Sequence, residues 1–212
     1  MFLFDETIAT PLCIIMGNNK SDKGNINITY SKHNYTTFYD SIFKDIKYNN
    51  INIFELGLGT NNLTIPSNMG VNGRPGASLY GWSDYFINAH VYGADIDKDI
   101  LFQTDRINTF YCDQTNVNSI NLLWNNLPIM FDIIIEDGLH NFNANVCFFE
   151  NSIHKLNKNG YYIIEDIKNT EIPLFEEKIN EWKNRYNYLT FNLLKIKSTV
   201  NFKDNNLLVV NY

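Results

Sequence analysis

The feature that most constrains this chain is an apolar strand that runs directly into an acidic turn broken by glycines. It lies at residues 53–59, Ile-Phe-Glu-Leu-Gly-Leu-Gly. A second acidic strand end follows at residues 91–97, Val-Tyr-Gly-Ala-Asp-Ile-Asp. Glycine allows backbone to approach a ligand closely, and a carboxylate at a strand end can bind a ribose. The two segments predict a ligand pocket at the carboxyl ends of neighbouring parallel strands.

The spacing of the glycines narrows the class of ligand. Glu55, Gly57 and Gly59 form Glu-x-Gly-x-Gly, a pattern typical of pockets for S-adenosylmethionine. The Gly-x-Gly-x-x-Gly pattern that binds a dinucleotide does not occur, and neither does the phosphate-binding Gly-x-x-x-x-Gly-Lys-Ser/Thr. We therefore expect these three residues to form the floor of a pocket for that cofactor.

Apolar runs at residues 51–56, 90–95, 108–112, 131–136 and 160–165 read as strands with helical segments between them, including a helix over residues 143–156. Alternating strands and helices indicate a parallel sheet covered on both faces. A helix over residues 175–185 and strands at 188–196 and 206–212 follow. The expected fold is α/β, a Rossmann-like doubly wound and mostly parallel sheet closed by a C-terminal antiparallel pair. We expect one domain over residues 1–212, with residues 1–50 as an N-terminal cap.

One segment does not follow this alternation. Residues 60–82 are rich in Gly, Asn, Pro and Ser where a short crossover is expected. Long ordered loops in compact domains are commonly lids or binding loops, and we expect that role here rather than a flexible insertion without a function. The aromatic-rich residues 79–86, taken as an exposed loop, suggest a homodimer contact.

Acidic residues after the second and third strands are candidates for cofactor binding. Asp95 comes 40 residues after Glu55, whereas a ribose-binding acid usually comes about 20 residues on; the long insertion explains the delay. Asp95 or Asp97 is expected to bind the ribose, with Asp95 preferred because it ends the strand. Asp113 and Gln114 are expected at the adenine edge. For Asp97 and Gln114, a role as solvated loop residues is nearly as well supported.

A second group of acids follows the fourth and fifth strands. Asp137 opens an Asp-Gly-Leu-His segment, and Glu165 and Asp166 end the next strand. Strand ends of a parallel sheet face one crevice, so the three carboxylates should converge, which is costly without a cation. Oxygen ligands suit Mg²⁺ or Ca²⁺, and Mg²⁺ is favoured because it keeps waters and positions for substrate. The plainer alternative is an ordinary Asp-Gly turn and a Glu-Asp helix cap.

His140 lies three positions after Asp137. A neutral imidazole there can take the proton of a substrate hydroxyl, while a cation held by Asp137 stabilises the forming alkoxide. His140 and Asp137 are therefore the candidate catalytic residues. The other histidines, at positions 33, 90 and 154, have no such partner in the sequence pattern.

These residues also carry a resemblance to a known family. Ser-Asp-Lys-Gly at 21–24, His-Asn-Tyr-Thr at 33–36, the glycine motif and Glu165-Asp166 resemble the metal-dependent sugar O-methyltransferases of the mycinamicin and macrocin group, and the related rhamnosyl O-methyltransferase and cephalosporin hydroxylase-like proteins. The family's Asp-Asp-Gly-Ser-His appears here as Glu-Asp-Gly-Leu-His at 136–140.

The resemblance implies roles for matching positions. It implies that Asp137, Glu165 and Asp166 hold Mg²⁺ and that His140 is the base. It implies that residues 21–24, with Lys23, close over cofactor or substrate. It also implies that residues 76–82, with Ser78, lie near the methionine part of the cofactor.

Composition and charge argue against some partners. A formal charge of −6 argues against a nucleic-acid partner, which needs a basic face. The three widely spaced cysteines indicate neither a disulfide frame nor a zinc site. The apolar stretch at residues 8–16 is too short to span a bilayer and has no signal-peptide form. A cytoplasmic protein without a membrane partner is expected.

The sequence therefore predicts an S-adenosylmethionine-dependent, Mg²⁺-favouring O-methyltransferase that acts on a hydroxyl of a sugar or sugar-containing small molecule. Two alternatives stay open. One is a small-molecule methyltransferase that acts on nitrogen or a phosphoramidate-type group. The other is a nucleotide-binding module of the same fold without turnover.

Overall fold

A seven-stranded sheet with helices on both faces makes up the protein, for which a computed structural model describes residues 2–24 and 33–212. The strands are β1 (Asn52–Leu56), β2 (His90–Asp95), β3 (Ile107–Tyr111), β4 (Phe131–Glu136), β5 (Leu156–Ile164), β6 (Thr190–Lys195) and β7 (Asn206–Asn211). Their order is β3-β2-β1-β4-β5-β7-β6. The first five in this order are parallel, and β7 pairs antiparallel with both β5 and β6. The predicted sheet type and its antiparallel close are confirmed.

Six α-helices connect and cover the described strands: α1 (Pro11–Asn18), α2 (Tyr35–Phe43), α3 (Ala77–Tyr85), α4 (Val117–Asn126), α5 (Phe142–Ser152) and α6 (Ile172–Arg185). Side chains in the sequence define where two of them begin. Asn116 accepts backbone N–H bonds at the start of α4, and Asn141 does the same for α5. Such caps satisfy backbone donors that the first helical turn leaves free. The cap at Asn141 fixes the chain immediately after His140.

The two faces of the sheet carry separate apolar cores. Helices α4, α5 and α6 cover one face, where Phe148, Phe149 and Trp182 are fully buried. Helices α1, α2 and α3 cover the other face, where Phe38 and Trp82 are fully buried. The continuous apolar pattern of β4 follows from this arrangement, because a central strand is buried on both sides. Residues that follow the carboxyl ends of the parallel strands line the cavity described below.

Two predicted boundaries were wrong. The helix predicted over residues 143–156 ends at Ser152, and a short 3₁₀ turn (Ile153–Lys155) leads into β5. That strand begins at Leu156 rather than at residue 160, because Leu156 pairs with Phe131 ahead of a register shift in the β4–β5 ladder. Leu156, which its spacing assigned to the helix, is therefore the first residue of the strand.

The segment predicted as a lid divides into two parts. Residues 77–85 form α3, the crossover helix itself, so the irregular part of the connection ends at Gly76. Leu79, Trp82 and Phe86 are fully buried against the sheet. The expectation that residues 79–86 form an exposed loop was therefore wrong, and this stretch gives no support to a homodimer contact.

The helices also bear on the question of membrane insertion. Within residues 2–24 and 33–212, no helix combines the length and the hydropathy that crossing a bilayer requires. The longest of them, α6, has 14 residues.

Candidate cofactor and metal site

A cavity of about 520 Å³ lies at the carboxyl ends of the parallel strands. The strand order reverses between β1 and β4, the point at which open α/β sheets bind their ligands. The cavity wall includes the glycine turn after β1, the irregular segment at residues 65–69, and the residues that follow β2, β3, β4 and β5. Its volume is in the range of small-molecule and cofactor sites.

The glycine turn after β1 packs directly against the turn after β4. Gly57 has a positive φ of 91°, and its N–H donates to the carbonyl of Ala94 at 2.8 Å. A Cβ at this position would overlap the carbonyl oxygen of Asp137. Asp137 in turn donates its N–H to the carbonyl of Leu56 at 2.8 Å. Glycine is therefore required here by both backbone conformation and space.

Glu55 lies beneath the cavity rather than in its wall. Its carboxylate is fully buried and accepts hydrogen bonds from the Ser78 hydroxyl and from Trp82 Nε1. Burial raises the pKa of Glu55. The side chain thus fastens α3 to β1, while Ser78 itself lines the cavity.

Of the two candidate ribose acids, Asp95 lines the cavity. Its carboxylate accepts the N–H groups of Leu58, at 2.7 Å, and Asp97, at 2.8 Å, which fixes the glycine turn. Burial raises the pKa of Asp95. Asp97 lies outside the cavity wall, where it accepts from the Thr60 hydroxyl and caps the next turn through the N–H of Asp99. The geometry keeps Asp95 as the better candidate.

Asp113 and Gln114 both line the cavity. The Gln114 side chain donates to Glu136 at 2.6 Å and accepts from the Leu139 N–H at 2.8 Å. It therefore joins the turn after β3 to the turn after β4. Asp113 accepts from the N–H and hydroxyl of Thr115 within its own turn.

The acids that follow β4 and β5 meet around a lysine from the N-terminal region. Lys23 Nζ lies 2.5 Å from Asp137 Oδ2 and 2.5 Å from Glu165 Oε2, and 3.8 Å from Glu55 Oε1. The lysine is 2% exposed. Burial opposes its charge, but the surrounding carboxylates raise the pKa of Lys23 well above its ordinary value. The resemblance implies that Lys23 closes over cofactor or substrate; the residue lines the cavity, and its ammonium lies within the acidic cluster.

His140 lies between two of these acids. Its Nε2 is 3.0 Å from Asp137 Oδ1, and its Nδ1 is 3.5 Å from Asp166 Oδ2. Burial opposes protonation, but the hydrogen bond to Asp137 and the charges of Asp166 and Asp137 outweigh it and raise the pKa of His140 to about 9. Ligand atoms of Asp137, His140 and Asp166 all lie within 4.8 Å of one another.

This donor set fits a divalent cation. Carboxylate oxygens of Asp137 and Asp166 lie within 4.8 Å of each other, and both residues line the cavity. Glu165, the third predicted ligand, directly precedes Asp166 and also lines the cavity, but it is not part of this group. Hard oxygen donors of this kind suit Mg²⁺, which holds few protein ligands and several waters.

Three further residues belong to this site without a role predicted from the sequence, although two of them lie in the motif at 33–36 that carries the family resemblance. Tyr35 and Tyr39, four residues apart on α2, donate their hydroxyls to Asp166 at 2.7 Å and to Glu165 at 2.5 Å. His33 stacks on Tyr35, and its Nδ1 lies 3.4 Å from Asp166 Oδ1. The expectation that His33 has no acidic partner was wrong. The helical spacing of the two tyrosines was the available signal.

The sheet order and the open strand ends define the fold of the class I S-adenosylmethionine-dependent methyltransferases. A solved structure of the MycE methyltransferase from the mycinamycin pathway, in complex with Mg, SAH and mycinamycin VI, matches 97% of this chain with a TM-score of 0.71 at 20% identity, over 55% of its own length. No protein-family model matches the chain.

Within that class, the chain is similar to sugar O-methyltransferases. It is 30% identical over 145 residues to the 8-demethyl-8-alpha-L-rhamnosyl tetracenomycin-C 2'-O-methyltransferase of Streptomyces olivaceus, which covers 68% of the chain and 36% of the relative. It is 30% identical over 149 residues to the demethylmacrocin O-methyltransferase of Streptomyces fradiae, covering 68% and 34%. The chain thus matches about a third of the length of these curated relatives.

The glycine turn yields a matched pair of variants. Gly57→Ala should destabilise the protein by roughly 2–5 kcal/mol, since it combines a disfavoured backbone conformation with overlap onto backbone. Gly70→Ala should cost only about 1 kcal/mol, because Gly70 has a similar φ but open space around its Cβ position. Thermal and denaturant unfolding of the two variants compares them; equal losses would show that the contact with Asp137 is unimportant.

The raised pKa of His140 yields a pH prediction for protein stripped of divalent ions. An imidazole proton favoured by folding contributes stability below the unfolded pKa of about 6.5. That contribution is lost as the pH rises through about 9. Histidine NMR in chelator should show this titration for His140, and Asp137→Asn should move the pKa back towards the ordinary range. A wild-type resonance that titrates in the ordinary range would contradict the described contacts.

Proposed function

We propose that the protein is an S-adenosylmethionine-dependent O-methyltransferase that uses Mg²⁺ and acts on a sugar hydroxyl of a glycosylated small molecule. The observation that carries the proposal is the juxtaposition of an Asp137–His140–Asp166 cluster with a cofactor-sized cavity at the switch point of this fold. The activities of the similar proteins, O-methyl transfer to a rhamnosyl tetracenomycin, to mycinamicin VI and to demethylmacrocin, support the acceptor class.

The cofactor would occupy the part of the cavity bounded by the turns after β1, β2 and β3. Gly57 and Gly59 permit its close approach to the backbone. Asp95 is the proposed ribose ligand, and Asp113 and Gln114 are the proposed contacts of the adenine edge. Ser78, at the second position of α3, is the proposed contact of the methionine part.

Asp137 and Asp166 would hold the divalent ion, with Glu165 beside them. When bound, a cation of this kind lowers the pKa of a coordinated hydroxyl and stabilises the negative charge that forms on its oxygen. The residues around the cation site orient the carboxylates that would bind it. Tyr35 and Tyr39 fix the carboxylates from α2, so the ligand atoms are oriented before a substrate arrives.

His140 is the proposed general base. It lies within reach of a hydroxyl placed beside Asp137, and its Nδ1 faces Asp166, which would stabilise the imidazolium once the proton is taken. Without a metal ion the raised pKa keeps the His140 ring protonated at neutral pH. A cation held by Asp137 and Asp166 would offset the charges that raise this pKa and so make the neutral base available. Methyl transfer is an in-line displacement at sulfur-bound carbon, so much of the acceleration comes from holding nucleophile and methyl group in line.

Two other functions were open on sequence grounds. Transfer to nitrogen or to a phosphoramidate-type acceptor needs less help from a base, and a module without turnover needs none. The similarity to O-methyltransferases and the presence of His140 beside the acids favour neither of them.

The proposal predicts metal-dependent transfer. Protein supplied with S-adenosylmethionine, Mg²⁺ and a panel of rhamnosyl and other glycosylated small molecules should give a product heavier by one methylene in mass spectrometry. Chelator should abolish the product, and Asp166→Asn should reduce the rate at least a hundredfold because a metal ligand is lost. Asp105→Asn, an exposed acid outside the cavity, is the matched control. Full activity in chelator would remove the metal from the mechanism.

A second prediction concerns the base. His140→Gln should reduce the transfer rate by about 10²–10⁴, the usual contribution of general base catalysis, while cofactor affinity stays within a few-fold. Steady-state rates across a pH series and calorimetric binding of S-adenosylhomocysteine measure the two effects. His90→Gln, at the exposed start of β2, provides the control. A near-normal rate for His140→Gln at all pH values would leave His140 a structural residue.

A further inference from the structure

Lys23 reaches the acidic cluster from a segment far away in the sequence. Its partners Asp137 and Glu165 lie 114 and 142 positions later. The backbone around it is fixed on both sides, since the carbonyl of Lys23 accepts from the Thr36 N–H and that of Asp22 accepts from the His33 N–H. The side chain is thus directed into the sheet by hydrogen bonds, rather than lying on a surface.

Within the described residues, Lys23 and the His140 ring are the cationic groups that contact these carboxylates, and Lys23 is the one that contacts Glu165. Glu55, Asp137 and Glu165 surround its ammonium at 3.8, 2.5 and 2.5 Å, and two of the three are at most 1% exposed. In the described part of the chain, no other lysine or arginine lies within 4.0 Å of these carboxylates. Buried carboxylates without a cation are strongly disfavoured. The lysine therefore does for Asp137 and Glu165 what a bound cation would do.

Lys23 also engages atoms that a divalent ion needs. Glu165 is occupied on both sides, by Lys23 at Oε2 and by the Tyr39 hydroxyl at Oε1. Asp137 directs one oxygen to Lys23 and the other to His140. Asp166 is the one acid of this trio without a contact to the lysine.

We propose that Lys23 is a built-in counter-cation of the metal site, a positioning residue that balances Asp137 and Glu165 when no divalent ion is bound and competes with that ion for Asp137. The proposal rests on the proposed function in taking this cluster as the metal site. It follows that the empty site is stable because of Lys23, and that Lys23 weakens the binding of the metal.

The test compares unfolding temperatures in chelator and in Mn²⁺, which replaces Mg²⁺ at oxygen sites. Wild type should unfold at a moderately higher temperature in Mn²⁺ than in chelator, because a metal that binds only the folded protein stabilises it. Lys23→Met, of similar length but uncharged, should unfold at a much lower temperature in chelator and recover most of the loss in Mn²⁺. Calorimetry should show Mn²⁺ binding about tenfold tighter, or more, in this variant, because a neighbouring positive charge is gone.

A matched control is present in the same chain. Lys155 is also buried, 7% exposed, but its Nζ donates to the neutral carbonyl of Leu127. Lys155→Met should lower the unfolding temperature equally in chelator and in Mn²⁺. The double variant Lys23→Met/Glu165→Gln should recover stability in chelator, because it removes one unbalanced negative charge while a Tyr39 partner remains.

The outcomes separate this inference from the proposed function. A loss in Lys23→Met that neither Mn²⁺ nor Glu165→Gln recovers, with metal-dependent transfer intact in wild type, would show a packing role alone and overturn the inference. If wild type neither binds Mn²⁺ nor needs it for transfer, the metal part of the proposed function fails. Recovery by Glu165→Gln in chelator would then still establish the counter-cation role, and its absence would overturn that role as well.

Discussion

The structure depends on carboxylates that are buried at the ends of parallel strands. A buried acid is tolerated only when hydrogen bonds or a cation replace its water. Each such acid here has its partners in a different element. Glu55 is bonded to α3, Glu136 to Tyr162 and Gln114, and Glu165 to α2 and Lys23. These contacts hold the covering helices at the sheet edge where the cavity opens.

Fold and site are therefore not separable in this protein. The contacts that satisfy Glu165 and Asp166 also fasten α2, through Tyr39 and Tyr35. The end of β1 and its glycine turn contact the turn after β4 through backbone atoms, including the bond from the Asp137 N–H to the Leu56 carbonyl. A change at either turn moves an acid of the cluster as well as a wall of the cavity. Preorganisation of this kind supplies the fixed charges that a reacting group needs.

Local features of the chain were readable from the sequence. The apolar runs of β2 and β4 end at the residues that the pattern predicts. A buried parallel strand is almost entirely apolar, so the acidic residue at its carboxyl end is a clear boundary. Asp137 and His140 meet as their spacing indicates, since they share one turn. Shared strand-end geometry brings Glu165 and Asp166 to the same place.

The parts that were missed depend on contacts distant in sequence. Tyr35 and Asp166 are 131 positions apart, and no local pattern pairs them. The same holds for Lys23, which the resemblance places over cofactor or substrate, and whose acidic partners Asp137 and Glu165 lie 114 and 142 positions later. The composition of residues 60–82 did not indicate α3, because this helix follows Gly76, which is in the left-handed region and provides no side-chain cap. The helix is stabilised instead by the burial of Trp82 and by the hydrogen bond that Trp82 donates to Glu55.

The central claim is that the acids at the ends of β4 and β5 bind a divalent ion beside the donor cavity. Anomalous diffraction from crystals grown with Mn²⁺ and S-adenosylhomocysteine tests it most directly. The account predicts an anomalous peak about 2.1 Å from carboxylate oxygens of Asp137 and Asp166, with the cofactor in the adjoining cavity. Crystals that contain the cofactor but show no peak at these oxygens would contradict it.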